Sequence, residues 1–264
     1  MARRENGVII NADASQVYAD LRILTARPTA EEEQLAPHRL YGMIDGATAW
    51  SATSWAEAAK LAIAEAHLVG KLPILVGGSG LYLRTLLEGI APVPKIDPDI
   101  REAVRSMTVT QAYTALTSED PLMSARLAPS DRQRLCRALE VVRSSGRSLS
   151  LWQQELSGGI TDFVTLRPFV IEVERDVLYR RCNNRLDDMI AMGALAEVST
   201  LAERKLSPSL PVMKALGIPQ FGAALLGEIT MTDALDLAKA TTRQYAKRQV
   251  TWFRNQAANW PRVT

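Results

Sequence analysis

The sequence predicts an α/β fold, a parallel sheet flanked by helices and interrupted by a helical insertion. Three observations carry that prediction. A short β-branched run, Gly7-Val8-Ile9-Ile10, leads through Asn11 and Ala12 to a carboxylate at Asp13. A second apolar run, Leu72-Pro73-Ile74-Leu75-Val76, ends in the glycine turn Gly77-Gly78-Ser79-Gly80. Between them lies a segment of helical period. Strand, helix, strand, glycine turn and helix is βαβ order, and such units pair their strands in parallel.

Each element has its own signal. The first run is short, apolar and bounded by polar residues, which reads as a buried strand. In the intervening helix, Ser54-Trp55-Ala56-Glu57 has the capping-box pattern, apolar residues recur at 55, 58, 59, 62, 63 and 66, and Gly70 stands where a helix stops. Leu72 to Val76 reads as another buried strand, and Leu81 to Glu88 as a helix. From Pro92 the texture changes, with prolines at 92, 94 and 98 and then helical periodicity with hardly a strand-like run. The expected division is a core of residues 1–92 and 164–264 with a helical insertion over 93–163. Within the insertion, Asp97-Pro98 suits an N-cap followed by proline, and Ser130-Asp131-Arg132-Gln133 predicts a capping box opening a helix to about Ser145, before Gly146. Phe169-Val170-Ile171-Glu172-Val173 returns as a strand. Asp176 to Gln256 reads as mostly helical, broken around Ser207 to Pro211 and Gly217 to Pro219.

Composition narrows the function classes. Over 264 residues, 47% hydrophobic and 23% charged residues are ordinary for a soluble globular protein. A net charge of +2 is too small to diagnose a polyanionic partner, so a nucleic-acid surface must come from local clusters of Arg and Lys. Cys136 and Cys182 stand far apart without a CxxC spacing, which suggests neither a disulfide framework nor a zinc ribbon and fits a reduced cytoplasm. His38 and His67 have no Cys or His neighbours, so no metal site is expected from them. No apolar run approaches the roughly 20 residues that span a bilayer.

Chemistry is sought at the carboxyl ends of the strands, where open α/β sheets bind ligands. Asp13 is placed to act as a general base or metal ligand, or simply to cap a turn. The glycine turn at 77–80 offers backbone N–H groups to an anion, or lets a helix pack closely on the sheet. Gln133, Arg134 and Arg137 share one side of a predicted helix; amides read adenine edges and Arg forks pair with phosphates, while the alternative is a solvated face. Arg180, Arg181 and Arg185 precede Asp187 and Asp188, which are possible ion-pair partners. The last helix interleaves Arg243, Lys247, Arg248 and Arg254 with Tyr245, Trp252 and Phe253, either to grip phosphates or to dock its aromatics on the core.

The order of these features resembles the tRNA dimethylallyltransferase family over roughly residues 8 to 256. The matching blocks are Ile10-Asn11-Ala12-Asp13-Ala14-Ser15-Gln16-Val17-Tyr18 with Thr25-Ala26-Arg27-Pro28-Thr29, then Ala36-Pro37-His38-Arg39-Leu40, and Leu75 to Tyr82 around the glycine turn, where the family usually has Thr at Ser79. Asp131 to Glu140, Arg185 to Met189 with Gly193, and Arg243 to Arg254 follow in order. The resemblance implies a P-loop-type α/β core with a helical insertion contacting tRNA. The implied reaction moves the dimethylallyl group of dimethylallyl diphosphate onto N6 of the adenosine next to the anticodon. It further implies Mg²⁺, a tRNA anticodon stem-loop as partner, no membrane, and a cytoplasmic monomer. By carry-over, Asp13 accepts or orients the N6 proton and Ala14, Ser15 and Gln16 border the extruded base. Ser79 and Arg101 touch the tRNA, Gln133, Arg134, Leu135, Cys136 and Arg137 line the base channel, and Arg185 pairs with the diphosphate.

One departure bears on activity. The family places a strand and a Gly-x-x-x-x-Gly-Lys-[Ser/Thr] loop before the catalytic Asp, whereas twelve residues precede Asp13 and no such pattern occurs in the chain. The expectation from sequence is a truncated chain of weak or no activity that lacks a central strand and is less stable for it. Two rival readings stay open: an adenylate isopentenyltransferase using a free nucleotide, and a non-catalytic tRNA-binding remnant.

Overall fold

The computed structural model describes residues 1–264. The chain divides into two compact units, one of residues 1–86 with 164–264 and one of residues 87–163.

The first unit is built on β1 (Gly7–Asn11), which is followed by α1 (Ala30–Leu35), β2 (His38–Arg39), α2 (Ala52–Leu68), β3 (Leu72–Val76) and α3 (Gly80–Glu88). The sheet order is β2-β1-β3, and both pairings are parallel. In register, Ile9 faces His38 and Ile10 faces Arg39 on one side, while Gly7 faces Leu72 and Asn11 faces Val76 on the other. The central strand is therefore buried on both faces, with Val8 and Ile10 in the core, as an apolar run between parallel neighbours demands. The second run was expected to be buried as well. Instead β3 is an edge strand whose terminal residues Leu72 and Val76 are 45% and 47% exposed, because it has a neighbour on one side only.

The helix before β3 starts earlier than its capping-box pattern predicts. Ser51, rather than Ser54, is the N-cap and accepts from the Ser54 N–H, so Ser54 lies within the first turn. The helix buries Trp55, Ala56, Ala59, Ala62, Ile63 and Ala66, and Gly70 follows its end at φ +65°, a left-handed turn that costs glycine least.

The second unit holds β4 (Gly89–Ile90), α4 (Pro98–Ser106), α5 (Val109–Glu119), α6 (Pro121–Ser124), α7 (Arg132–Ser145), α8 (Leu149–Trp152) and β5 (Ser157–Gly158). It begins before the prolines because Gly89 and Ile90 pair antiparallel with Gly158 and Ser157. Its core gathers Val104 from α4, Ala112 and Leu116 from α5, and Leu135, Ala138 and Leu139 from α7. Asp97 caps α4 as its Asp-Pro signal predicts, accepting from the Asp99 and Ile100 N–H groups. Asp131, not Ser130, caps α7 by accepting from the Arg134 N–H, and Gly146 closes that helix at φ +67° with its N–H on Val142 O. Capping carboxylates at these positions also meet the positive end of the helix dipole.

The first unit resumes with β6 (Val170–Ile171), α9 (Arg175–Ala191), α10 (Ala194–Glu203), α11 (Ile218–Leu225), α12 (Met231–Gln256) and β7 (Arg262–Val263). The strand expected over Phe169 to Val173 shrinks to two residues, paired in parallel with β7 in a sheet separate from the first. Breaks at Gly193 and Gly217 come where these glycines take φ +101° and +90°. No helix is long and apolar enough to cross a membrane.

Candidate active site

Asp13 sits two residues beyond the end of β1, where the chain turns off the sheet. That turn is fixed by Asn11, whose side chain is fully buried. Asn11 Nδ2 donates to Asp13 O and to Leu40 O, each at 3.0 Å, and Asn11 Oδ1 accepts from the Asp13 N–H at 2.8 Å. One amide thus closes an Asx turn and ties it to the chain leaving β2. The Asn11 carbonyl is itself held by the Trp55 indole N–H at 2.8 Å, and Trp55 stacks on Tyr82 with ring centroids 4.6 Å apart.

The carboxylate is held on one oxygen only. Asp13 Oδ1 accepts from the Ser15 N–H at 2.8 Å and from the Ser15 hydroxyl at 2.6 Å. Oδ2 makes no hydrogen bond and is the free acceptor of a half-buried side chain. The glycine turn meets this loop directly. Ser79 Oγ accepts from the Ala14 N–H at 2.9 Å, and the Ser79 N–H donates to Ala12 O at 3.2 Å. Gln16 Nε2 donates to Thr25 O at 2.8 Å and to Ala26 O at 2.9 Å.

The glycines of the turn serve close packing. A Cβ at Gly77 would collide with the Ala12 backbone, at Gly78 with the Gln249 amide, and at Gly80 with the Trp252 ring. The last helix therefore lies over the turn and brings Tyr245 with it. Burial, the nearby Asp13 charge, or both hold phenols around the carboxylate in their neutral form. Tyr41 is pushed up to about 12 by burial first and Asp13 second. Tyr82 is raised by burial, then by Tyr18 and Asp13. Tyr245 is raised by burial and Asp13, against the opposing hydrogen bonds of Ser79 and Gln249. These hydroxyls remain potential donors at neutral pH in the surroundings of the carboxylate.

Within this unit Asp13, Ala14, Ser15, Gln16 and Ser79 come together. Arg185 projects from α9 as an exposed guanidinium without an ion pair. Its expected carboxylate neighbours do not engage the arginines of that helix: Asp187 pairs with Lys239 of α12 at 2.6 Å, because α9 and α12 pack side by side. Arg243 donates to Asn183 Oδ1 at 2.7 Å, and the Arg248 guanidinium lies 5.6 Å over the Tyr245 ring. Of the basic residues on α12, Lys247, Arg248 and Arg254 are exposed.

Arg101 and residues 133–137 belong to the helical unit. Arg101 is exposed on α4. On α7 the helical period divides the expected channel residues. Gln133, Arg134 and Arg137 face outward, while Leu135 and Cys136, at 0% and 5% exposure, are turned into the core. Of the five residues expected to line the base channel, Leu135 and Cys136 therefore turn their side chains away from the surface that Gln133, Arg134 and Arg137 present. Arg134 pairs with Asp131 at 3.5 Å, and Arg137 with the buried Glu140 at 3.7 Å, which also accepts from Arg105 Nε at 3.0 Å.

Sequence reasoning gave no role to Asn11, Tyr41 or Tyr82. An Asn at a strand end two residues before Asp is a readable Asx-turn signal. The tyrosines carry none, because their approach to Asp13 depends on how β2 and α3 pack around β1.

The chain is similar to known proteins along nearly its whole length. A family profile described as IPP transferase matches residues 16–256. A tRNA dimethylallyltransferase of Sphingopyxis alaskensis is 58% identical over 97% of this chain and 84% of its own length. One of Novosphingobium aromaticivorans is 54% identical over 100% of this chain and 94% of its own length. Among solved structures, the full-length tRNA isopentenylpyrophosphate transferase of Bacillus halodurans superposes with a TM-score of 0.71 at 33% identity, covering 99% of this chain and 82% of that one. A eukaryotic dimethylallyltransferase acting on tRNA superposes with a TM-score of 0.78 at 29% identity, covering 96% and 64%. With an Asp-bearing turn at the end of a parallel strand, a glycine turn beneath the last helix, and this likeness along nearly its whole length, the chain belongs to the IPP transferase family.

Proposed function

We infer that the chain is a tRNA dimethylallyltransferase, moving the dimethylallyl group of dimethylallyl diphosphate to N6 of the adenosine 3′-adjacent to the anticodon. The observation that carries the reading is the half-engaged carboxylate, Asp13 with Oδ1 held by Ser15 and Oδ2 free. In the reaction the bond between allyl carbon C1 and the diphosphate oxygen breaks, a C1–N6 bond forms, and one N6 proton leaves. Adenine's exocyclic amine is a poor nucleophile, so a carboxylate oxygen that accepts this proton lowers the barrier. The leaving diphosphate takes the electron pair of the broken bond, and cationic donors stabilise the charge that develops on it.

Roles follow for the remaining residues. Ala14, Ser15 and Gln16 border the base, which must leave its loop to reach a pocket. Ser79 and Arg101 touch the tRNA, Gln133, Arg134 and Arg137 meet it from the outer face of α7, and Arg185, which has no carboxylate partner, pairs with the diphosphate. Recognition of an unstacked base in a single-stranded loop suits such a surface. The implied Mg²⁺ has no ready cage, since no three His, Cys, Asp or Glu side chains gather anywhere. Mg²⁺ that arrives with a diphosphate is held mainly by phosphate oxygens and water and asks for only one or two protein oxygens, so no step is routed through a resident ion. A tRNA substrate makes the cytoplasm the place of action.

The test is transfer of the prenyl group from dimethylallyl diphosphate to an anticodon stem-loop by the 264-residue chain. Asp13→Asn is expected to slow transfer by about 10²- to 10⁴-fold, the usual worth of a positioned general base, with stem-loop binding retained. Undiminished turnover overturns the reading.

A further inference from the structure

We propose that Glu197, on α10, is a positioning residue that fixes the orientation of the Gln16 amide, so that Gln16 offers a carbonyl oxygen to an exocyclic amine on the bound base. The proposal deepens the prenylation reading and rests on it for the place of Gln16 beside the base.

The loop of residues 21–27 leaves the Asp13 turn and is anchored by a single carboxylate. Glu197 Oε1 accepts from the Arg22 N–H at 2.9 Å and the Ile23 N–H at 2.8 Å, and Oε2 accepts from the Leu24 N–H at 3.0 Å. Three successive backbone N–H groups aimed at one anion form a nest, and bonds to an ionised acceptor are about twice as strong as neutral ones. Leu21 and Leu24 are buried beside it, and the Thr25 hydroxyl closes the turn on Leu21 O at 2.8 Å. The turn ends at Ala26 with φ +52°, a backbone state that a residue with a Cβ keeps only where its surroundings enforce it.

The carbonyls that follow this nest, those of Thr25 and Ala26, are the two acceptors of Gln16 Nε2. Both partners are acceptors, so the NH₂ end of the amide is assigned without ambiguity and the Oε1 end is left over. From the other side the Gly42 N–H donates to Gln16 O at 2.8 Å, which holds the Gln16 backbone while the clamp holds its side chain. A free amide oxygen accepts from an amino group and repels a keto oxygen. It therefore favours a base with an exocyclic amine, as adenine has at C6, over one with a carbonyl there.

Glu197→Gln keeps the shape but sets an NH₂ against a backbone N–H. Hydrogen exchange at Arg22, Ile23 and Leu24 is expected to accelerate by about tenfold or more, since a charged acceptor of these amides is lost. In the full chain, binding of an anticodon stem-loop carrying adenosine is compared with one carrying inosine at the same position. The unsubstituted chain prefers adenosine, and Glu197→Gln and Gln16→Ala each lose most of that preference. KM for the stem-loop rises by about tenfold in Glu197→Gln, equivalent to one good hydrogen bond, while KM for dimethylallyl diphosphate holds. Combining the two substitutions adds nothing further. Unchanged exchange at residues 22–24, an undiminished adenosine preference in Glu197→Gln, or an equal effect of Glu197→Gln in the Gln16→Ala background overturns the proposal. An adenosine preference of this kind alongside undiminished prenyl transfer in Asp13→Asn overturns the prenylation reading and leaves the clamp standing.

Discussion

The turn at Asp13 and the first turns of α7 both carry residues proposed to meet RNA, yet they are held in opposite ways. At α7 the support is mostly local. Asp131 caps the helix three residues before Arg134 and pairs with it at 3.5 Å, and Arg137 reaches Glu140 one turn on. At Asp13 the support arrives from the rest of its unit: Asn11 binds Leu40 O, Ala14 binds Ser79 Oγ, and Trp55 holds the Asn11 carbonyl. Arginines on a helix surface need only a charge in roughly the right place, because phosphate attraction is long-ranged and tolerant of angle. A general base needs its oxygen within hydrogen-bond reach of one proton, so its orientation must be over-determined.

That contrast can be broken by making the same change in both places. Gly77→Ala drives a Cβ into the Ala12 backbone, next to Asp13. Overpacking against backbone has no soft neighbour to move, so a loss of about 3 kcal/mol in denaturant unfolding and a collapse of prenyl transfer are expected. Gly146→Ala, at φ +67° with nothing near its Cβ, meets only the left-handed backbone cost, about 1 kcal/mol, and leaves transfer per folded molecule unchanged. Equal losses at the two sites would remove the distinction drawn here.

The same contrast is sharpened by charge. Arg134, 74% exposed at its side chain, is expected to change stability by no more than about 0.5 kcal/mol when replaced by Ala. Stem-loop affinity should fall for all sequences alike, and the slope of log affinity against log salt should flatten by about one. An unaltered slope would remove Arg134 from the RNA surface.

The smallest expected effect is on pH dependence. Tyr18, Tyr41, Tyr82 and Tyr245 are all raised, with burial the leading cause in each. A group whose folded pKa is raised contributes stability that is complete below its unfolded value, here about 10. That stability is lost as pH rises from there through the folded value, about 12 for Tyr41. Spectrophotometric titration should show phenol ionisation lagging in the folded chain, with the lag at Tyr41 and Tyr245 shortened in Asp13→Asn. Midpoints that ignore the Asp13 substitution would separate the phenols from the carboxylate.

Much of the fold was legible because its signals are local. Gly7 to Ile10 and Leu72 to Val76 are apolar runs of strand length, Asp97-Pro98 marks a helix start, and Gly146 marks a helix end; each stands in the structure, the first strand running on to Asn11. The caps at Ser51 and Asp131 were misplaced by one turn and one residue, since several Ser and Asp residues compete near each helix start and tertiary packing selects among them. The strand over Phe169 to Val173 was overestimated because a β-branched run is only a licence to pair. Its pairing with residues 262–263 covers two positions.

By itself the sequence determined the order of the longer elements around the two apolar strands, the carboxylate at the end of the first strand and the family blocks, all of which depend on neighbours along the chain. Only the tertiary structure decided which oxygen of Asp13 stays free, that Leu135 and Cys136 turn inward, and that Glu197 anchors a loop 173 to 175 residues away in sequence. The physical reason is that hydrogen bonds and burial act over a few ångströms of space, and the partners that impose them are brought within that range by folding rather than by sequence spacing.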